Sequence, residues 1–124
     1  MNKIELKALD KQLSDKIKEI YLQELNHQVG SILCRLFKQA LIILIEESVT
    51  LPERKLNNQE YQQLAHQMRT VFDQIVQPQI KTIIEQTTDM QAIDFLCDTT
   101  LDTGRTGIIV ILELKPKTLA MGYY

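Results

Sequence analysis

Two short stretches constrain this chain more than anything else in it. Residues 41–45 (LIILI) are apolar at every position, and residues 107–112 (GIIVIL) almost so. A segment of that length with no polar alternation suits a β-strand inside a sheet, covered on both faces. A sheet built around two such strands needs apolar cover above and below. The rest of the chain offers only two long amphipathic segments to supply it.

The first amphipathic segment precedes the first apolar strand. From Leu6, the positions Leu9, Leu13, Ile17, Ile20 and Tyr21 recur at three- and four-residue steps with Lys, Asp and Glu between them, which is a helical stripe. It should end near "LNHQVG", where Asn26 and Gly30 tolerate helix-terminating backbone angles. The period then changes. Ile32, Cys34 and Leu36 fall on one face of a strand and Leu33, Arg35 and Phe37 on the other. A turn at Lys38, Gln39 and Ala40 returns the chain as the first apolar strand.

Pro52 marks "SVTLPERKLNNQE" as a connector, and Asn57 with Glu60 three residues on resembles a capping box, so the second helix is expected to start there. Tyr61, Leu64, Met68, Val71 and Ile75 step by three and four and are expected in its core stripe. Beyond Pro78, which should kink or divide the helix, the stripe resumes with Ile80, Ile83 and Ile84. "AIDFLCD" then reads as a strand with Ile93, Phe95 and Cys97 on one face and Asp94, Leu96 and Asp98 on the other. The second apolar strand follows a polar loop.

The order α-β-β-α-β-β predicts a single α+β domain over residues 3–115, a four-stranded antiparallel sheet with helices packed on one face, and a short tail over 116–124. Each half holds a helix, an alternating strand with one cysteine and an apolar strand, the outline of an internal duplication, although residue identities barely match. One layer of helices leaves the far face of the sheet partly bare. A homodimer, or docking on another protein, would cover it.

Composition removes several function classes. At 124 residues and 44% hydrophobic content, one domain with a continuous core is the expectation. The formal net charge of -2, with lysines along the first helix (Lys7, Lys11, Lys18) interleaved with acids, provides no basic stripe for nucleic acid. No apolar run reaches the ~20 residues that span a bilayer, so no direct membrane insertion is expected. The charged N-terminus lacks a secretory h-region, which points to the cytoplasm. There Cys34 and Cys97 are expected as reduced, buried thiols.

The polar loop in "DTTLDTGRTG" is the best candidate site. Gly104 and Gly107 permit positive φ, the neighbouring threonines offer hydroxyls, and Arg105 supplies a planar cation. Asp102, Thr103, Gly104, Arg105, Thr106 and Gly107 are therefore the candidate binding residues, for a protein carboxylate or a small anion. The competing structural reading is a wide hairpin, with Gly104 left-handed, Asp102 in an Asx-turn and Arg105 pointing into solvent or paired to a local acid. GxxxxGK[ST] is absent. His27 and His66 have no metal-ligand spacing, and the acid pairs Glu46/Glu47 and Asp98/Asp102 fit solvated strand ends. No catalytic residue, metal or cofactor is assigned, and an enzyme is not expected.

The segments "LNHQVGSILCRLFKQALIILIEESVTLPE" and "QIVQPQIKTIIEQTTDMQAIDFLCDTTLDTGRTGIIVIL", with the overall length, make the chain resemble the bacterial MpsC-domain family over about Leu6 to Leu112. That family takes its name from a sodium-translocating, membrane-potential-generating system. The resemblance implies a soluble accessory role beside membrane proteins linked to cation or inorganic-carbon transport, with a transporter subunit as partner. It carries over no active site. The alternative from the residues alone is a sensor of a small anion or metabolite, bound at the GRTG loop.

Overall fold

The computed structural model describes residues 3–116, so of the tail expected over 116–124 all but Pro116 lies outside the described residues. Helix α1 (Lys3–Leu25) leads into β1 (Ile32–Phe37) and β2 (Ala40–Ile45). Helices α2 (Leu51–Asn58) and α3 (Gln62–Thr88) follow, then β3 (Met90–Thr100) and β4 (Arg105–Leu114). The four strands form one antiparallel sheet in the order β1-β2-β4-β3, so the two apolar strands are its centre. The α+β architecture matches the expectation, with one element more than expected.

That element is α2. Pro52 sits in its first turn, where the missing N–H costs nothing. Thr50 caps it: the Glu53 amide reaches the Thr50 hydroxyl at 3.5 Å, and Glu53 Oε1 accepts from the Thr50 amide at 3.0 Å. The capping box is thus Thr50/Glu53, and Asn57 and Glu60 do not form one. Asn57 lies inside α2, Glu60 lies in the link to α3 with φ 68°, and α3 begins at Gln62 after an N-cap, Tyr61, that makes no side-chain cap. Helix α3 runs unbroken through Pro78.

Helices α1 and α3 pack side by side on one face of the sheet, α1 over β1 and α3 over β3. The stripe of α1 is buried as expected, from Leu9 through Tyr21, and Asn26 ends the helix at φ 49°. The stripe of α3 differs in its first half. Ala65, Arg69, Val76, Ile80 and Ile84 are buried, whereas Tyr61, Leu64, Val71 and Ile75 are exposed and Met68 is half-buried. The buried face is rotated from the apolar one because Arg69 enters the interior with its own carboxylate partner, as described below.

One constant sequence offset relates the helix and first strand of one half to those of the other. Leu9, Leu13, Ile17, Ile20 and Tyr21 correspond to Phe72, Val76, Ile80, Ile83 and Ile84, Asn26 to Asp89, and Cys34 to Cys97. The corresponding helical positions are buried or half-buried in both helices, and Asn26 and Asp89 share left-handed φ values of 49° and 54°. The sheet obeys the same pseudo-two-fold. Its middle row reads Cys34, Ile43, Ile108, Cys97 across the four strands. The two thiols are therefore three strand spacings apart, about 14 Å, beyond disulfide reach within the chain. Both are free, Cys34 buried and Cys97 half-buried.

A register shift between Ala92 and Asp94 alters one expected face. Ala92 takes the core position and Ile93 is exposed, while Phe95 and Cys97 point inward as expected. Among the described residues no helix packs on the far face of the sheet. Leu33 and Phe37 of β1, Ile42 of β2, Ile109 of β4 and Leu96 of β3 are all exposed there.

Candidate functional site

The connection from β3 to β4 is shorter than the polar stretch suggests. Only residues 101–104 form the turn, and Arg105, Thr106 and Gly107 already belong to β4. Gly104 takes φ 76°, the one described glycine at positive φ, and its N–H donates to the Thr100 carbonyl at 2.8 Å. Its own carbonyl accepts from the Ser48 amide at 2.8 Å and the Ser48 hydroxyl at 3.1 Å, which ties the turn to the end of β2. A Cβ at this position would stand 3.2 Å from the Arg54 guanidinium of α2.

The other candidate residues diverge from the turn. Thr106 points inward and is buried; its hydroxyl lies 2.6 Å from both the Ser48 and the Thr99 hydroxyls, a linear chain of three that ends on the Gly104 carbonyl. Asp102 accepts from the Asn57 side chain of α2 at 2.8 Å, and the Gly104 amide that the expected Asx-turn would use donates to Thr100 instead. Thr103 is exposed. Gly107 lies on the open sheet face with nothing within 4 Å of a Cβ built on it.

Arg105 also stands on the open face, at its end. Its Nε donates to Glu46 Oε1 at 2.9 Å, the two side chains being 57% and 33% exposed. Its terminal nitrogens make no hydrogen bond among the described residues, so the outer edge of the guanidinium faces solvent. Such a group suits a second carboxylate, held by two parallel N–H bonds.

Behind this corner lies a buried ionic cluster that sequence reasoning missed. Arg69 of α3 donates Nε to Glu53 Oε2 at 2.8 Å and Nη2 to Glu53 Oε1 at 2.7 Å. It also donates to the Ser48 carbonyl at 3.0 Å and to Asp73 at 3.3 Å. Burial works against the Arg69 charge, yet the Glu53 bonds and charge, with Asp73, hold its pKa above the ordinary value. Burial raises the Asp73 carboxyl, and the neighbouring Arg69 only partly offsets it. The signal lay in Thr50-x-x-Glu53, which marks a helix start, although nothing there announces an arginine sixteen residues on.

Burial pushes the thiols of Cys34 and Cys97 up to about 12, with Asp10 and Asp73 adding to the respective shifts, and drives the Tyr21 phenol far up. Burial thus disfavours the charged, nucleophilic form of each. His27 Nε2 lies 2.7 Å from the Glu47 carbonyl and so is its donor. His66 is exposed beside an open cleft of about 460 Å³ that Asn57 and Asp102 also line. Among the described residues no group of three His, Cys, Asp or Glu could hold a metal ion. Glu46 pairs with Arg105, while Asp98 and Asp102 accept from the Thr99 amide and Asn57 respectively.

A family model described as Na+-translocating membrane potential-generating system (MpsC) matches residues 5–114, nearly all of the described chain. No curated protein and no solved structure gives a match.

Proposed function

The chain belongs to the MpsC family, that of the Na+-translocating membrane potential-generating system, and on that premise we propose that it is a non-catalytic accessory protein which docks on a component of such a system from the cytoplasmic side. No helix among the described residues is long and apolar enough to cross a membrane, so contact with a membrane-embedded partner would be made by a surface. The observation that carries this reading is the Arg105 guanidinium. It is anchored at one nitrogen by Glu46 and open at its outer edge, on a corner held rigid by Ser48, Gly104 and α2.

The partner group would be a carboxylate on a transport subunit, because a planar fork discriminates a paired acceptor from a point charge. The experiment is crosslinking in the native host with membranes retained, followed by recovery of wild type and Arg105→Ala. Wild type should retain a subunit of the sodium-translocating system, and the variant should lose it. Equal recovery by both would remove Arg105 from the contact. Recovery of no such subunit, together with saturable NMR shifts at Gly104 and Gly107 on anion titration, would replace docking with small-anion sensing.

A further inference from the structure

The open sheet face is ordered into rows by the strand register. One row reads Arg35, Ile42, Ile109, Leu96; the next reads Leu33, Leu44, Gly107, Asp98; the third reads Phe37, Ala40, Ile111, Asp94. The middle of the face is apolar, the β1 edge carries a cation, and the β3 edge carries two acids. Phe37 and Leu96 are 66% and 62% exposed. Among the described residues no third layer covers this face.

We propose that a second copy of this chain covers it, related by a two-fold axis parallel to the strands, so that Arg35 of each protomer lies between the partner's Asp94 and the partner's Asp98. The charges select both the occupant and the axis. Two sheets packing face to face sit about 10 Å apart with their strands nearly aligned. A two-fold along the strands carries β1 of one copy over β3 of the other. Arg35 then stands above the partner's Leu96, whose flanking acids are each about 7 Å away along the strand. A two-fold across the strands would instead lay β1 over β1 and β3 over β3, gathering four carboxylates together.

The constant offset that equates Cys34 with Cys97 also equates Leu33 with Leu96 and Arg35 with Asp98, so both edges carry an exposed leucine while the charge beside it changes sign. In the single chain the exposed Arg35 side chain turns back round the β1 edge, its Nη1 donating to Asp10 of α1 at 3.1 Å and to the Cys34 carbonyl at 2.9 Å. In the dimer it exchanges the Asp10 contact for the partner's acids by rotating about its own side-chain bonds. An anionic lipid surface would be repelled by Asp94 and Asp98, which leaves the self-complementary face as the better match.

Light scattering on the purified chain at micromolar concentration should give about twice the 14.4 kDa chain mass. Ile109→Lys at the centre of the face should give a folded monomer by circular dichroism. Should it fail to fold, Leu96→Lys on the edge reads the same outcome. The decisive test is charge reversal. Arg35→Glu alone and Asp94→Lys/Asp98→Lys alone should each be monomeric, whereas their equimolar mixture should form a heterodimer, both contacts then being complementary.

A wild-type monomer would overturn the proposal. So would a dimer that survives Ile109→Lys and Leu96→Lys but dissociates on Val71→Lys, which would place the contact on the exposed stripe of α3. Failure of the reversed pair to associate would overturn the axis. None of these outcomes depends on Arg105 or on recovery of a transport subunit.

Discussion

Arg69 brings a charge into the interior and meets Glu53 there through two parallel bonds, both side chains almost fully buried. Removing one partner leaves the other desolvated and alone. Arg69→Met should therefore cost about 3–5 kcal/mol in urea unfolding. The double variant Arg69→Met/Glu53→Leu should cost less than the sum of its parts, because neither member of the fully buried pair is left without the other and only the partly exposed Asp73 loses a contact. Arg105 stands at the opposite extreme. Its exposed pair with Glu46 should contribute little, so Arg105→Ala should stay within about 0.5 kcal/mol of wild type. The thiols give a third measurement at this scale. With pKa values near 12, Cys34 and Cys97 are almost wholly protonated at pH 8, so a disulfide reagent should label them only as fast as the chain unfolds.

At the scale of elements, the strands and α1 were legible because their periods are clean and nothing competes with them. Leu9 to Tyr21 face the sheet as their spacing requires, and residues 41–45 and 107–112 occupy its centre. Helix α3 was legible as a helix, but neither its start at Gln62, its continuity through Pro78 nor the orientation of its first half was. Its apolar stripe, Tyr61 to Ile75, and its buried face, Ala65 to Val76, are different faces, because the ion pair with Glu53 overrides hydrophobicity. Helix α2 was hidden by Pro52, which opens a helix as readily as it marks a loop. The candidate site was legible only in part: Gly104 takes its left-handed angle and Arg105 meets an acid, but that acid, Glu46, lies just past the end of β2 and 59 residues away in sequence. Thr50 now has a testable weight. Thr50→Ala removes the α2 cap and should cost about 1 kcal/mol. Gly104→Ala should cost at least as much, since it adds left-handed strain to a close approach by Arg54.

For the molecule as a whole, three groups set the alkaline limit. Cys34, Cys97 and Tyr21 would ionise near pH 9 to 10 in the unfolded chain, but each is held protonated to higher pH by burial in the folded one. Between those values the folded state binds more protons, so their stabilising contribution is complete below pH 9 and is lost as pH rises. Melting temperature should fall steadily from pH 8.5 to 11, and less steeply in Cys34→Ala/Cys97→Ala relative to its own value at pH 8. An equal slope would mean that the thiols are open to solvent. The strand order carries a consequence of another kind, for the route by which the chain reaches this state. Each hairpin closes over a short turn, but the β2–β4 ladder joins residues about 65 apart in sequence. Two locally formed halves must therefore find each other before the middle of the sheet exists, and their meeting is the slow event in folding.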